Sequence, residues 1–216
     1  MSVCPVIGQR CPVRRLDARC TPKAGRSGLS TSAPHDRILE VARELFCRDG
    51  IHATGIDRIL AEASASKMAL YSRFGSKEAL LREVLAKEGE AQRKIIFGVI
   101  DAAGPDPVTQ LHAVIPALRA WFESDRFYGC AFMNAAAEHT KGADSHPWLR
   151  ALTKAHHAEI LGRLEALAIA ASYPEPSLLA RQILLVMDGA IAALMVGDDA
   201  TVLTISERNL RAVLVR

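Results

Sequence analysis

Residues 66–77 read SKMALYSRFGSK, a stretch with three basic residues (Lys67, Arg73, Lys77), two rings (Tyr71, Phe74) and no acid. Cations and a phenol at this density suit the holding of phosphate. Ser66 can cap a short helix, and Leu70 and Phe74, four apart, can anchor its back. Lys67, Met68, Ala69, Ser72 and Arg73 are then left outward, with the Tyr71 hydroxyl in reach of a phosphate. Gly75 ends this helix, Ser76 caps the next, and Lys77 adds charge beside backbone N–H groups free to bind an anion. The same spacing also describes a packed helical corner with solvated charges. Covalent chemistry has no comparable foothold: HExxH, P-loop, GxSxG and dinucleotide-binding patterns are missing from the sequence, so no enzyme activity and no cofactor are expected.

A helix of this kind needs others behind it. Ile38, Val41, Ala42, Leu45 and Phe46 recur at helical spacing from His35 to Asp49, and Gly50 follows as a stop. Thr54 with Asp57 three residues later resembles a capping box that opens a second helix. Ile56, Ile59 and Leu60 face inward along it, and it ends near Ala63. Two short helices joined by a tight turn, the second one basic, make helix–turn–helix spacing.

Residues 34–81 resemble the N-terminal DNA-binding domain of the TetR family of bacterial regulators. The likeness rests on ILEVARELF, Gly50, ATGIDRILAEA and SKMALYSRFGSKEALL, with Leu70, Tyr71, Phe74, Ser76 and Lys77 its most specific part. The resemblance implies phosphate contacts from Thr54, Tyr71 and Lys77, and base reading by Lys67, Met68, Ser72 and Arg73. It also implies a homodimer, paired through the last two long helices as a four-helix bundle and suited to a palindromic operator in double-stranded DNA. Two features depart from the family pattern. The turn reads Ala63, Ser64, Ala65 where Ala-Gly-Val is usual, so a left-handed position falls to serine, at a cost glycine would not incur. Ala69 replaces a small hydroxyl residue and removes one DNA hydrogen bond.

The expected architecture is all-α, in three parts: a basic, disordered tail (1–33), the helix–turn–helix domain (34–80), and a helical ligand-binding and dimerisation bundle (81–216). The bundle's first helix runs from Ser76 towards Ile100 and breaks at the Gly104–Pro107 stretch. The next spans Val108 to Glu123 with a kink at Pro116. Further helices are expected over Gly129–His139, Trp148–Ala171, Ser177–Val196 and Thr204–Val215. The helix from Ser177 is apolar on nearly every side and should be fully enclosed, with a two-fold interface involving the last helix to enclose it. Asp188 within it should bond Arg181 or a neighbouring helix end.

Candidates for the wall of an apolar effector pocket are Trp121, Phe122, Phe127, Phe132, Cys130, Met133, Asn134, His156, Ile160 and Met187. Each also reads as ordinary core. His156 continues an apolar face and His157 should face solvent. Asn134 and Glu138, four apart, could share a polar wall, and Cys130 is either a thiol sensor or an inert buried cysteine.

Composition bounds the rest. Half of the 216 residues are hydrophobic, only 5% are aromatic and the net charge is +3, so any nucleic-acid claim depends on where charge sits. The tail holds Arg10, Arg14, Arg15, Arg19, Lys23 and Arg26 against Asp17, with Cys4, Cys11 and Cys20. An odd number of cysteines without repeated spacing points to a reducing cytoplasm. The longest apolar run, Ile183 to Gly197, falls short of the roughly 20 residues a membrane-spanning helix needs, so no membrane association is expected. These readings converge on a ligand-responsive repressor; an effector-independent or redox-controlled DNA binder is the alternative.

Overall fold

The computed structural model describes residues 33–124, 127–139, 146–197 and 201–215. The tail assigned to residues 1–32 lies outside them. Ten helices and no strands are found among the described residues: α1 (Pro34–Asp49), α2 (Ile56–Ala63), α3 (Lys67–Phe74), α4 (Lys77–Ala102), α5 (Pro107–His112), α6 (Val114–Phe122), α7 (Ala131–His139), α8 (Pro147–Ala170), α9 (Pro176–Met195) and α10 (Thr201–Val213).

The first three helices close around Ile38, Leu45, Ile59, Leu70 and Phe74, all buried. α1 packs on α2, α3 and α4, so the long α4 belongs to both halves of the chain. Arg37 adds a fixed point, its Nε donating to the Ala63 carbonyl at the end of α2 (3.2 Å). In the body, α4 packs on α6, α8 on α9, and α9 on α10, while α7 bridges α4 and α8.

The single helix expected over Val108–Glu123 is two. The break falls at Ala113 (φ −75°, ψ −5°), whose N–H reaches both Thr109 and Gln110 carbonyls, and not at Pro116. Pro116 has no N–H to give the His112 carbonyl and its ring crowds that group, so the chain turns before the proline. Pro116 then occupies the first turn of α6, where a missing N–H costs little.

α9 lies within a residue of its expected Ser177–Val196 span, and it corrects the expectation that the apolar segment is too short to cross a membrane. It starts at Pro176, well before Ile183, and over its twenty residues is long and apolar enough to cross a membrane by length and composition, with a mean hydropathy of 1.7. It lies between α8 and α10 as a bundle helix does, yet only a third of its apolar stretch is buried in the single chain. Full enclosure is therefore not reached within one protomer: Leu185 is 70% exposed and Ile205 on α10 is 55% exposed.

Candidate nucleic-acid interface

The turn between α2 and α3 is tight because Ser64 adopts the left-handed conformation (φ 49°, ψ 50°). Ser64 N–H then returns to the Ala61 carbonyl, and Ala65 N–H to that of Leu60 at 3.0 Å, which satisfies the end of α2. Ser66 caps α3, its Oγ accepting the Ala69 N–H at 3.1 Å, and Ser76 caps α4 in the same way from Ala79 at 3.0 Å. Gly75, at φ 77°, ends α3 as the spacing requires.

Leu70 and Phe74 hold the back of α3 in the core, and its front is open. Met68 is 80% exposed and Tyr71 50% exposed. Lys67, Ser72 and Arg73 share that solvent side. The two cations are paired for now: Lys67 Nζ with Asp57 at 2.9 Å, and Arg73 with Glu83 at 3.1 Å. The Asp57 carboxylate, through a hydrogen bond and its charge, raises the Lys67 pKa. Arg73 also lies 5.1 Å over the Phe74 ring. Exposed pairs of this type are weak in water, so either cation can exchange its carboxylate for phosphate or a base edge. Five of the seven expected DNA-contacting side chains thus share one exposed surface.

Thr54 and Lys77 do not. The Thr54 side chain is fully buried, and its hydroxyl donates to the Gly50 carbonyl at 2.7 Å, with the Leu45 carbonyl at 3.3 Å. It therefore neither caps α2, whose N-cap is Gly55 without a side-chain bond, nor offers its hydroxyl to a phosphate. Lys77 donates to the Ile51 carbonyl at 2.6 Å and lies 5.8 Å over the Phe46 ring. Desolvation pushes its pKa down against the opposing pull of Glu138. Its role here is to tie the start of α4 to the α1–α2 loop, and the ammonium is not a free anion site.

Residues 38–84 match the family model described as "Bacterial regulatory proteins, tetR family". The chain is 46% identical over 110 residues to the HTH-type transcriptional repressor SCO4008 of Streptomyces coelicolor, covering 47% of this chain and 55% of that one. It is 32% identical over 95 residues to the HTH-type transcriptional regulator LmrA of Bacillus subtilis, covering 44% and 50%. Among solved structures, SCO4454, a TetR-family transcriptional regulator from Streptomyces coelicolor, superposes with a TM-score of 0.75 at 28% identity, over 84% of this chain and 94% of that one. The matched segment is similar to the TetR-family helix–turn–helix, and the chain shares the fold of the TetR-family regulator SCO4454. It spans about half the length of the curated relatives it matches.

In the body of the chain, the candidate pocket residues do not gather around one cavity. Trp121, Phe122 and Phe127 form a ring cluster with centroids 4.8–5.5 Å apart. A cavity of about 10 Å³ lies beside Trp121 and Phe132, walled also by Glu88, Ala91, Gln92, Ile95, Gly129 and Ala131. That is room for one water. Ile160 and Met187 are buried core, and Met133 packs partly buried against it. Cys130 is 2% exposed and burial pushes its thiol pKa up, which fits the inert cysteine and not a sensor.

The polar candidates also separate. Asn134 Nδ2 donates to the Tyr128 carbonyl at 3.2 Å, while Glu138 turns away to the α1–α2 loop, so they share no wall. His156 is buried as its apolar face implied, stacked 4.0 Å from Phe132 with Arg93 at 3.0 Å from Nδ1. Burial, with Arg93 and His157 adding to it, lowers its pKa to about 4, so the ring is neutral near pH 7. Asp188 faces His157 at 3.9 Å, not Arg181, and desolvation raises its pKa while His157 opposes. His157 is accordingly partly covered, not fully in solvent.

Sequence reasoning passed over Gln92, which is 6% exposed. Its signal was available: it continues the inward row of Leu81, Leu85, Ile96 and Ile100 on α4. For the Glu138 link the sequence held no signal, since its partners lie 86 and 87 residues away.

Proposed function

We propose that this chain is a DNA-binding transcriptional regulator, most simply a repressor, that acts in the cytoplasm as a homodimer on a palindromic operator. The observation carrying this is the exposed face of α3, where Lys67, Met68, Tyr71, Ser72 and Arg73 stand free of the core that Leu70 and Phe74 anchor. A helix so placed fits a major groove, with its cations and phenol on phosphates and bases. The uncovered apolar surface of α9 and α10, including Leu185 and Ile205, supports pairing of two protomers. Repression is what the name of the SCO4008 relative states of that protein, and it is carried here as part of the reading.

Release of the operator by a small, mostly apolar effector completes the reading, with the aromatic cluster around Trp121 as its site. A second reading, in which no effector is needed, is favoured by one observation: the cavity there holds about 10 Å³. Both readings share the same DNA reader.

The test is fluorescence anisotropy of the purified full chain with DNA from either side of its own gene, at several salt concentrations, against non-specific DNA. The expected result is tight binding to one palindromic fragment with a steep salt slope. Tyr71→Ala should weaken binding to all sequences, while Arg73→Ala should relax preference among operator variants by about 1–3 kcal/mol at the affected position. Equal losses on every sequence for Arg73→Ala would remove it from base reading, and sequence-blind binding by the wild-type chain would overturn the proposal.

A further inference from the structure

Beyond the packing of α1 and α3 on α4, one carboxylate of the body reaches the α1–α2 loop of the DNA reader. Glu138, in the last turn of α7, accepts the Ile51 N–H at 3.0 and 2.9 Å on its two oxygens and the His52 N–H at 2.9 Å. Its own carbonyl faces His52 Nε2 at 3.2 Å, and the His52 ring stacks on His139 at 4.7 Å. A carboxylate is unfavourable at the negative end of a helix dipole, so this position has a cost that the two loop amides offset. The loop is shaped to receive it: Gly50 sits at φ 94°, and a Cβ there would come within 3.3 Å of Glu138 Oε1.

The Ile51 peptide is held from both sides. Its N–H goes to Glu138 of the body, and its carbonyl goes to Lys77, the first residue of α4 and two residues past the end of α3 at Gly75. A second contact lies close by, with the Arg82 guanidinium 4.4 Å over the Trp148 ring at the start of α8. Body residues on both sides of segment 140–145 therefore grip the reader at the loop behind α3 and at the second turn of α4.

We propose that Glu138 is a positioning residue for DNA binding: its clasp on Ile51 and His52 sets the orientation of the recognition helix relative to the body. Any motion of α7 then reaches α3 through the Ile51 peptide and Lys77. This rests on the DNA-binding reading above. The Glu138 carboxylate is engaged by the loop amides and lies off the exposed α3 face, so its loss should act on specific binding, where orientation matters, and spare non-specific binding, where it does not.

The test compares full-length wild type, Glu138→Ala and Glu138→Gln by hydrogen exchange and by anisotropy on the fragment selected above and on non-specific DNA. For Glu138→Ala, faster exchange is expected at the Ile51 and His52 amides with α9 unchanged, together with about tenfold weaker operator binding at unaltered non-specific affinity. Glu138→Gln keeps one acceptor oxygen and should fall between the two, which decides the matter should the alanine variant fold poorly. Wild-type operator affinity in both variants would overturn the inference and leave the DNA-binding reading standing. So would equal loss on both DNAs with a lowered melting temperature, which marks a merely structural bond. A wild-type chain that does not discriminate between the fragments would overturn both.

Discussion

Thr54 offers the sharpest separation between a structural and a DNA-contacting role. Thr54→Val replaces the hydroxyl by a methyl of similar volume, so no cavity opens and only the polar interaction changes. The side chain is fully buried, and its one proton bonds the Gly50 carbonyl at 2.7 Å. Valine would leave that carbonyl without its partner beneath the helix–turn–helix core. Losing a buried bond and stranding its acceptor costs about 1–3 kcal/mol. At about 2 kcal/mol, a chain of this size should melt roughly 4–8 °C lower. Thr54→Ser, which retains the hydroxyl, should recover most of that loss. Thermal unfolding followed by circular dichroism reads the stability, and the salt dependence of DNA binding reads the phosphate contacts. The salt slope should stay at its wild-type value, because the hydroxyl does not face solvent. A melting temperature unchanged within a degree, with clearly weaker DNA binding, would refute the structural assignment.

Two further outcomes follow from backbone strain and from burial of charge. Ser64→Gly relieves a left-handed serine, worth about 1–2 kcal/mol, and part of this is cancelled by the greater freedom of glycine in the unfolded chain. A net gain of about 0.5–1 kcal/mol, seen as a melting temperature some 1–4 °C higher, is expected; a lower value would show that the turn needs the serine. His156 carries a folded pKa of about 4 against 6.5 unfolded, so the unfolded state binds the extra proton between these values and stability falls as pH drops through that window. The loss reaches up to about 3 kcal/mol near pH 4. His156→Gln should flatten that part of the denaturation profile, and an unchanged slope between pH 6.5 and 4 would place the titration elsewhere.

The helix–turn–helix domain was legible because its determinants are local. Ser66 and Ser76 as caps, Gly75 as a stop, Leu70 and Phe74 as anchors and Ser64 at a left-handed position all follow from residue type and a spacing of a few residues. Thr54 and Lys77 were misread where local pattern and tertiary partner conflict. Thr54 with Asp57 has the form of a capping box, but the hydroxyl found carbonyls of the preceding helix and loop. Lys77 stands where an anion site would form, but Ile51, 26 residues earlier, claims its ammonium. In the body, helical periodicity located the elements to within a few residues but merged α5 and α6, and it could not say which inward aromatic meets a cavity and which meets another side chain. Trp121 and Met187 look alike in sequence, yet Trp121 lines the small cavity and Met187 is buried core.

The one-water cavity beside Trp121 has a kinetic and thermodynamic consequence. On the effector-release reading proposed above, a ligand larger than water enters once α4, α6 and α7 part, so it selects a minority conformer. Its apparent affinity is the intrinsic affinity scaled by the population of that conformer. On that reading, a substitution that loosens the seam between these helices would lower the response threshold for any such ligand. Response threshold and ligand preference would be separately adjustable, the first by packing at the seam and the second by the groups that line it once open.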